Sequence, residues 1–213
     1  MDIIFITLEW IGVIAFSVSG AMVSVKKGMD LFGVVLLGLL TAFGGGIMRD
    51  CLLGRIPPAF FTNYEMILGG TVAALLVFGV AYFLKEKYFA NEKVIEQINN
   101  VFDALGLGAF AVTGSRIALE TVWGEKWFLT VSMGLLTAIG GGLLRDLMLR
   151  EIPFVLNKRV YATAALAGAV LYFVIRALGA GETAAPLAGI ALTFLLRMLA
   201  THYSWNLPRI NSL

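Results

Sequence analysis

Residues 38–57 read GLLTAFGGGIMRDCLLGRIP and residues 134–153 read GLLTAIGGGLLRDLMLREIP, thirteen identities in twenty at a constant offset of 96. Each copy carries a threonine (Thr41, Thr137), three consecutive glycines (Gly44, Gly45, Gly46 and Gly140, Gly141, Gly142) and adjacent opposite charges (Arg49, Asp50 and Arg145, Asp146). No nucleophile stands beside a base here, and no loop is built to cradle phosphate. A single cysteine, Cys51, and a single histidine, His202, supply neither a disulfide framework nor a zinc motif. Enzymatic activity, a metal and a cofactor are therefore not expected. The chemistry this pattern suits is the passage of charge: bare backbone, hydroxyls and fixed charges set within apolar sequence.

The elements that must position these residues follow from composition. Of 213 residues 59% are hydrophobic and 14% charged, against about 25% charged in soluble domains. Mean hydropathy is +0.88, and so few charges cannot coat a water-soluble surface of that much apolar side chain. Seven apolar segments, each near the ~20 residues of a bilayer crossing, are expected at Ile3–Val25, Leu31–Leu53, Tyr64–Leu84, Ile98–Ile117, Trp127–Leu149, Val160–Ile175 and Ala184–Ala200. The formal charge of +2 and the lack of a basic run give no reason to expect nucleic acid.

The duplication extends upstream, where GVIAFSVSG (12–20) parallels GLGAFAVTG (106–114) at an offset of 94. Each copy holds three spans, an odd number, so the second must enter the membrane from the opposite face. The expected fold is an all-α polytopic membrane protein with seven transmembrane helices, two inverted three-helix repeats plus a closing helix. Its divisions are repeat one at 1–84, a linker at 85–97, repeat two at 98–178 and the closing helix at 184–203. Eleven basic residues against five favour an outside N-terminus and an inside C-terminus; Lys158, Arg159, Arg197 and Arg209 count among the inner eleven.

Two readings of the glycine triplets compete. They can open the helix and turn backbone toward a pathway, or let helices approach closely; duplication together with Arg-Asp favours the first. Apolar residues resume after each Arg-Asp pair and stop only at Pro57 and Pro153. The charges then lie about one turn beyond mid-bilayer, where ionisable groups face a bundle interior or water. Neighbours on a helix point in different directions, so pairing is expected across the repeats, Arg49 with Asp146 and Arg145 with Asp50. Glu9 and Asp103 occupy equivalent places in the first helix of each repeat and suggest cation-attracting carboxylates near the two mouths. Thr41 and Thr137 are expected to bond their own helix backbone. Trp10, Trp123, Trp127 and Trp205, near span ends, read as interface anchors.

The doubled T-A-x-G-G-G-x-x-R-D with Ile-Pro downstream, on a seven-span chain, resembles the prokaryotic branch of the trimeric intracellular cation (TRIC) channel family. The resemblance implies a homotrimer with a pore in each subunit, lined by second and fifth helices kinked at the glycines. It implies conduction of monovalent cations (K+ over Na+, with modest selectivity), membrane lipids as surroundings, and a plasma or inner membrane location. The lipid-binding Lys-Glu-Val motif of animal members is absent at both triplets. Members of the same domain family are also labelled glycine transporters, so a carrier of a small zwitterion such as glycine stands as the alternative.

Overall fold

The computed structural model describes residues 3–123, 126–157, 160–179 and 181–205. Seven long helices carry the fold: α1 (Ile3–Lys26), α2 (Leu31–Leu52), α3 (Tyr64–Phe83), α5 (Glu92–Leu119), α6 (Trp127–Met148), α8 (Ala162–Ala177) and α9 (Ala184–His202). The short helices α4 (Lys85–Ala90) and α7 (Phe154–Asn157) and a 3-10 turn (Ala59–Phe61) lie between them. Six of the seven are long and apolar enough to cross a membrane. The sixteen residues of α8 rise about 24 Å, short of the ~30 Å hydrocarbon core.

Local chemistry explains the boundaries. The Asp30 carboxylate accepts the Gly33 N–H at 2.8 Å and starts α2. Just past the α2 terminus, Gly54 takes a left-handed φ of 69°, the conformation glycine adopts without a Cβ penalty. Arg150, its counterpart at offset 96, takes φ 56° after α6. The fourth apolar segment, expected from Ile98, starts earlier: α5 begins at Glu92, and α4 fills the first half of the linker.

The two repeats are antiparallel partners. On α1 and α5, Gly12 faces the Phe110 ring while Gly106 faces the Phe16 ring, and the two phenyl rings meet edge to face at 5.3 Å. Gly20 sits against Thr41, and Gly114 against Thr137. These contacts bring Val13, Phe16, Leu107, Phe110, Ala42 and Ala138 into one core at the junction of the repeats. Around it, α5 is the most enclosed span, with 72% of its apolar window buried, whereas 22% of that in α3 is buried. The closing helix packs chiefly on α8 and α5; Gly168 lies against Thr193 and the Gly189 carbonyl. Trp10, expected as an interface anchor, instead lays its ring on Gly69 of α3. Lys158, Arg159 and Arg209, used for orientation, lie outside the described residues.

Candidate functional site: a two-ended polar route

Helices α2 and α6 cross at the glycine triplets. A Cβ on Gly45 would run into the Thr137 carbonyl, and one on Gly141 into the Thr41 carbonyl. A Cβ on Gly140 would stand 2.9 Å from Gly45 Cα, and one on Gly44 3.4 Å from Gly141 Cα. Only glycine permits that approach. The helices run unbroken through both triplets, so neither triplet breaks its helix. The first two glycines of each triplet serve packing. The third does not: beside Gly46 only the Arg49 guanidinium comes within 4 Å of a Cβ position, and beside Gly142 only the Tyr161 hydroxyl and the Arg145 guanidinium. As expected, the Thr41 and Thr137 hydroxyls donate to their own helix, to the Leu37 and Met133 carbonyls at 2.6 Å each.

The cross-repeat pairing is not formed. Arg49 Nε donates to Asp50 Oδ1 at 2.9 Å, and Arg145 Nε to Asp146 Oδ1 at 2.8 Å. The long guanidinium stem spans the ~100° between adjacent helical residues, wrapping round the last turn. Because α2 and α6 are antiparallel, each motif lies about 6 Å beyond the crossing toward opposite faces, far from the other. The second carboxylate oxygen fastens the following loop: Asp50 Oδ2 accepts the Ala59 N–H at 2.9 Å, and Asp146 Oδ2 the Phe154 N–H at 2.8 Å.

Toward the face where α5 ends, a cavity of about 250 Å³ is bordered by Glu9, Arg55, Asn63, Thr113, Arg116 and Glu120. It shares Glu9, Ala59, Asn63 and Thr113 with a narrower one of about 50 Å³ that reaches Gly46, Arg49 and Thr137. The two cavities adjoin and lead from this face toward the crossing, with polar groups set among apolar walls. Arg116 bonds Glu120 at 2.6 Å, and Arg49 is held by Asp50. Glu9, half-buried in the wall, has no ion-pair partner within 4.0 Å among the described residues.

Toward the face where α5 begins, a cavity of about 460 Å³ is lined by Lys26, Lys27, Tyr88, Glu92, Asn99 and Phe154 among others. Lys26 pairs with Glu92 and Lys27 with Glu151 on this face. Inward of Asn99 by one helical turn stands Asp103, and there the route closes. Asp103 is 2% exposed, Arg145 0%, Tyr161 3% and Arg197 3%. The Tyr161 hydroxyl donates to Asp103 Oδ1 at 3.3 Å. Arg197 Nη2 approaches Asp103 Oδ2 at 3.7 Å and its guanidinium lies 4.8 Å over the Tyr161 ring. Arg145 lies 5.1 Å over the Phe154 ring.

Asp103, expected near a mouth, is thus sealed inside a four-residue cluster. Arg197, counted as an inner-side charge, is inside the bundle. Sequence reasoning missed Tyr161, Arg197, Arg55 and Asn63. An arginine within the apolar run Ala184–Ala200 was the available signal, since intramembrane arginines face a bundle interior; nothing marked Tyr161.

Comparison with known proteins agrees with this architecture. A family model described as glycine transporter matches twice, over residues 6–85 and 100–177, once on each repeat. A UPF0126 membrane protein of Deinococcus radiodurans is 40% identical over 164 residues, 76% of this chain and 72% of that protein. A solved TRIC cation channel superposes with a TM-score of 0.85 at 38% identity, covering 99% of both chains. The TRIC trimeric intracellular cation channel orthologue from Rhodobacter sphaeroides gives 0.85 at 37%, over 95% of this chain and all of that one. These neighbours are channels and membrane proteins, not enzymes, and this chain is a multi-pass membrane protein. Matched in both halves and alike from end to end, it belongs to the prokaryotic TRIC channel family, whose sequence model is described as glycine transporter.

Proposed function

We propose that the chain is a passive channel for monovalent cations, preferring potassium with modest selectivity, with one pathway in each subunit of a homotrimer. The single observation that carries this reading is the pair of adjoining cavities that leads toward the α2–α6 crossing, with another cavity on the opposite face. The pathway follows the faces of α2 and α6 that present Gly46, Thr137 and Arg49, then Gly142, Thr41 and Arg145.

In-motif pairing bears on the sign of the permeant ion. Each motif arginine is paired with its own aspartate and Arg116 with Glu120, so the wall charges balance apart from Glu9 and Arg55, and the cation assignment is supported by the likeness to solved TRIC cation channels. With no TVGYG-like filter in the sequence, an ion passes hydrated, which suits weak discrimination between K+ and Na+. The N-terminus is placed outside and the C-terminus inside, in the plasma or inner membrane.

A second reading, a carrier for a small zwitterion such as glycine, has its own support. The inlet brings carboxylates (Glu9, Glu120) and guanidiniums (Arg49, Arg55, Arg116) to one cavity. One end is accessible while the other is shut, as alternating access requires. Recording in planar bilayers separates the two. Discrete unitary currents that reverse at the potassium equilibrium potential are the expected result; saturable glycine counterflow without unitary currents would replace the channel with a carrier.

A further inference from the structure

The shut end is built partly from outside the duplication. Asp103 answers Glu9 in the repeat, and Arg145 answers Arg49, but Arg197 comes from α9, which has no counterpart. The inlet beside Glu9 is what this architecture looks like when no such arginine arrives. There Gly46 is half-buried and a cavity opens beside it; Gly142, its partner in symmetry, is buried. The geometry points to α9 as a lock: Arg197, held on the Asp103 carboxylate and stacked on Tyr161, closes the repeat-two half, which the symmetry of the repeats alone would leave as open as the other half.

The physical case rests on desolvation. A carboxylate buried to 2% exposure needs either a cation or water beside it. Arg197 supplies the cation and thereby excludes the water. At 3.7 Å the contact is longer than a charge-assisted hydrogen bond, typically 2.7–2.9 Å, so it acts as a charge interaction across the cluster. Without it, Asp103 would draw water through the cavity at Asn99, one turn away. Closure of this end is therefore a charge interaction with an unduplicated helix, separate from the packing of the glycine crossing.

This inference rests on the proposed pathway, and its test reads water access, not transport. Thr41 is 1% exposed and its repeat partner Thr137 2%, but Thr137 borders the narrow cavity at Gly46. In a Cys51→Ala background, Thr41→Cys is combined with native Arg197, Arg197→Met or Arg197→Lys in sealed vesicles. A membrane-impermeant methanethiosulfonate is applied separately to each face. From the Glu92 face, Arg197→Met is expected to speed modification at least tenfold, with Arg197→Lys staying close to the native rate. If Arg197→Met does not fold, Asp103→Asn/Arg197→Met, which removes both members of the pair, replaces it with the same expected result. An unchanged rate in the folded Met variant, or equal acceleration by Met and Lys, overturns the lock. Thr137→Cys labelled from the Glu120 face is the control for the pathway itself: if it resists reagent in the native background, the pathway reading fails rather than the lock.

Discussion

The two ends of the route are built from the same twenty-residue motif and differ in what surrounds it. At the repeat-one end Arg49, held by Asp50, borders a cavity that adjoins the one at Glu9 and Asn63. At the repeat-two end Arg145 and Asp146 make the same bonds at nearly the same distances, yet Arg145 is fully enclosed and its Nη1 has no hydrogen-bond partner among the described residues. One motif serves both as a pathway wall and as part of a plug. Duplicated chemistry thus acquires different jobs from its neighbours, here Arg197 of the unduplicated closing helix and Tyr161 of repeat two.

That contrast has energetic consequences. The largest concerns the ion pairs. Asp146→Asn leaves Arg145 charged, buried and uncompensated, and should lower stability by about 3–5 kcal/mol. Asp50→Asn, with water reaching the cavity beside Arg49, should cost about 1–3 kcal/mol, mostly from the weakened bond to the Ala59 amide. Unfolding in detergent micelles compares them; equal losses would mean that the two ends do not differ in solvation.

A second, smaller contrast lies within each triplet. Alanine at Gly45 or Gly141 meets a facing carbonyl and should destabilise by about 1–3 kcal/mol or more. Alanine at Gly46 or Gly142 meets nothing closer than 3.5 Å and should be neutral or stabilising by up to about 1 kcal/mol, from helix propensity. Thermal melts of the four variants test this. Were Gly46→Ala as damaging as Gly45→Ala, the division of the triplet into packing and cavity positions would be wrong.

The smallest effect separates the turns that follow the motifs. Gly54 and Arg150 both take left-handed φ, a conformation that costs a non-glycine residue about 1–2 kcal/mol. Arg150→Gly should therefore raise the melting temperature slightly, by under about 1 kcal/mol in free energy after glycine's entropy in the unfolded chain is counted. A drop in stability would show that the Arg150 side chain contributes more than its backbone strain costs.

Much of this was legible in the residues. Apolar runs located the long helices, because span length is set by bilayer thickness and composition, both local properties. The offset match gave the repeat, and three spans per copy required inversion. The threonine-to-backbone bonds were readable too, since a hydroxyl in oil takes the nearest carbonyl. The ion pairs were misread. Adjacent helical directions do not keep Arg49 from Asp50, because arginine reaches round the turn, and the antiparallel crossing carries the two motifs apart. The triplets were misread in part: glycines that open a helix and glycines that let helices touch have the same letters.

Membrane embedding, the inverted duplication and the identity of the motif residues are therefore determined by the sequence itself, because each depends on composition, spacing or chain order. The tertiary structure alone decided which glycines pack, which charges pair and which end is shut. Those outcomes turn on helix rotation and crossing, and on a closing helix that packs chiefly against repeat two. A symmetric motif cannot encode an asymmetric neighbour; only the packed chain brings Arg197 to Asp103 and leaves Glu9 facing an open cavity.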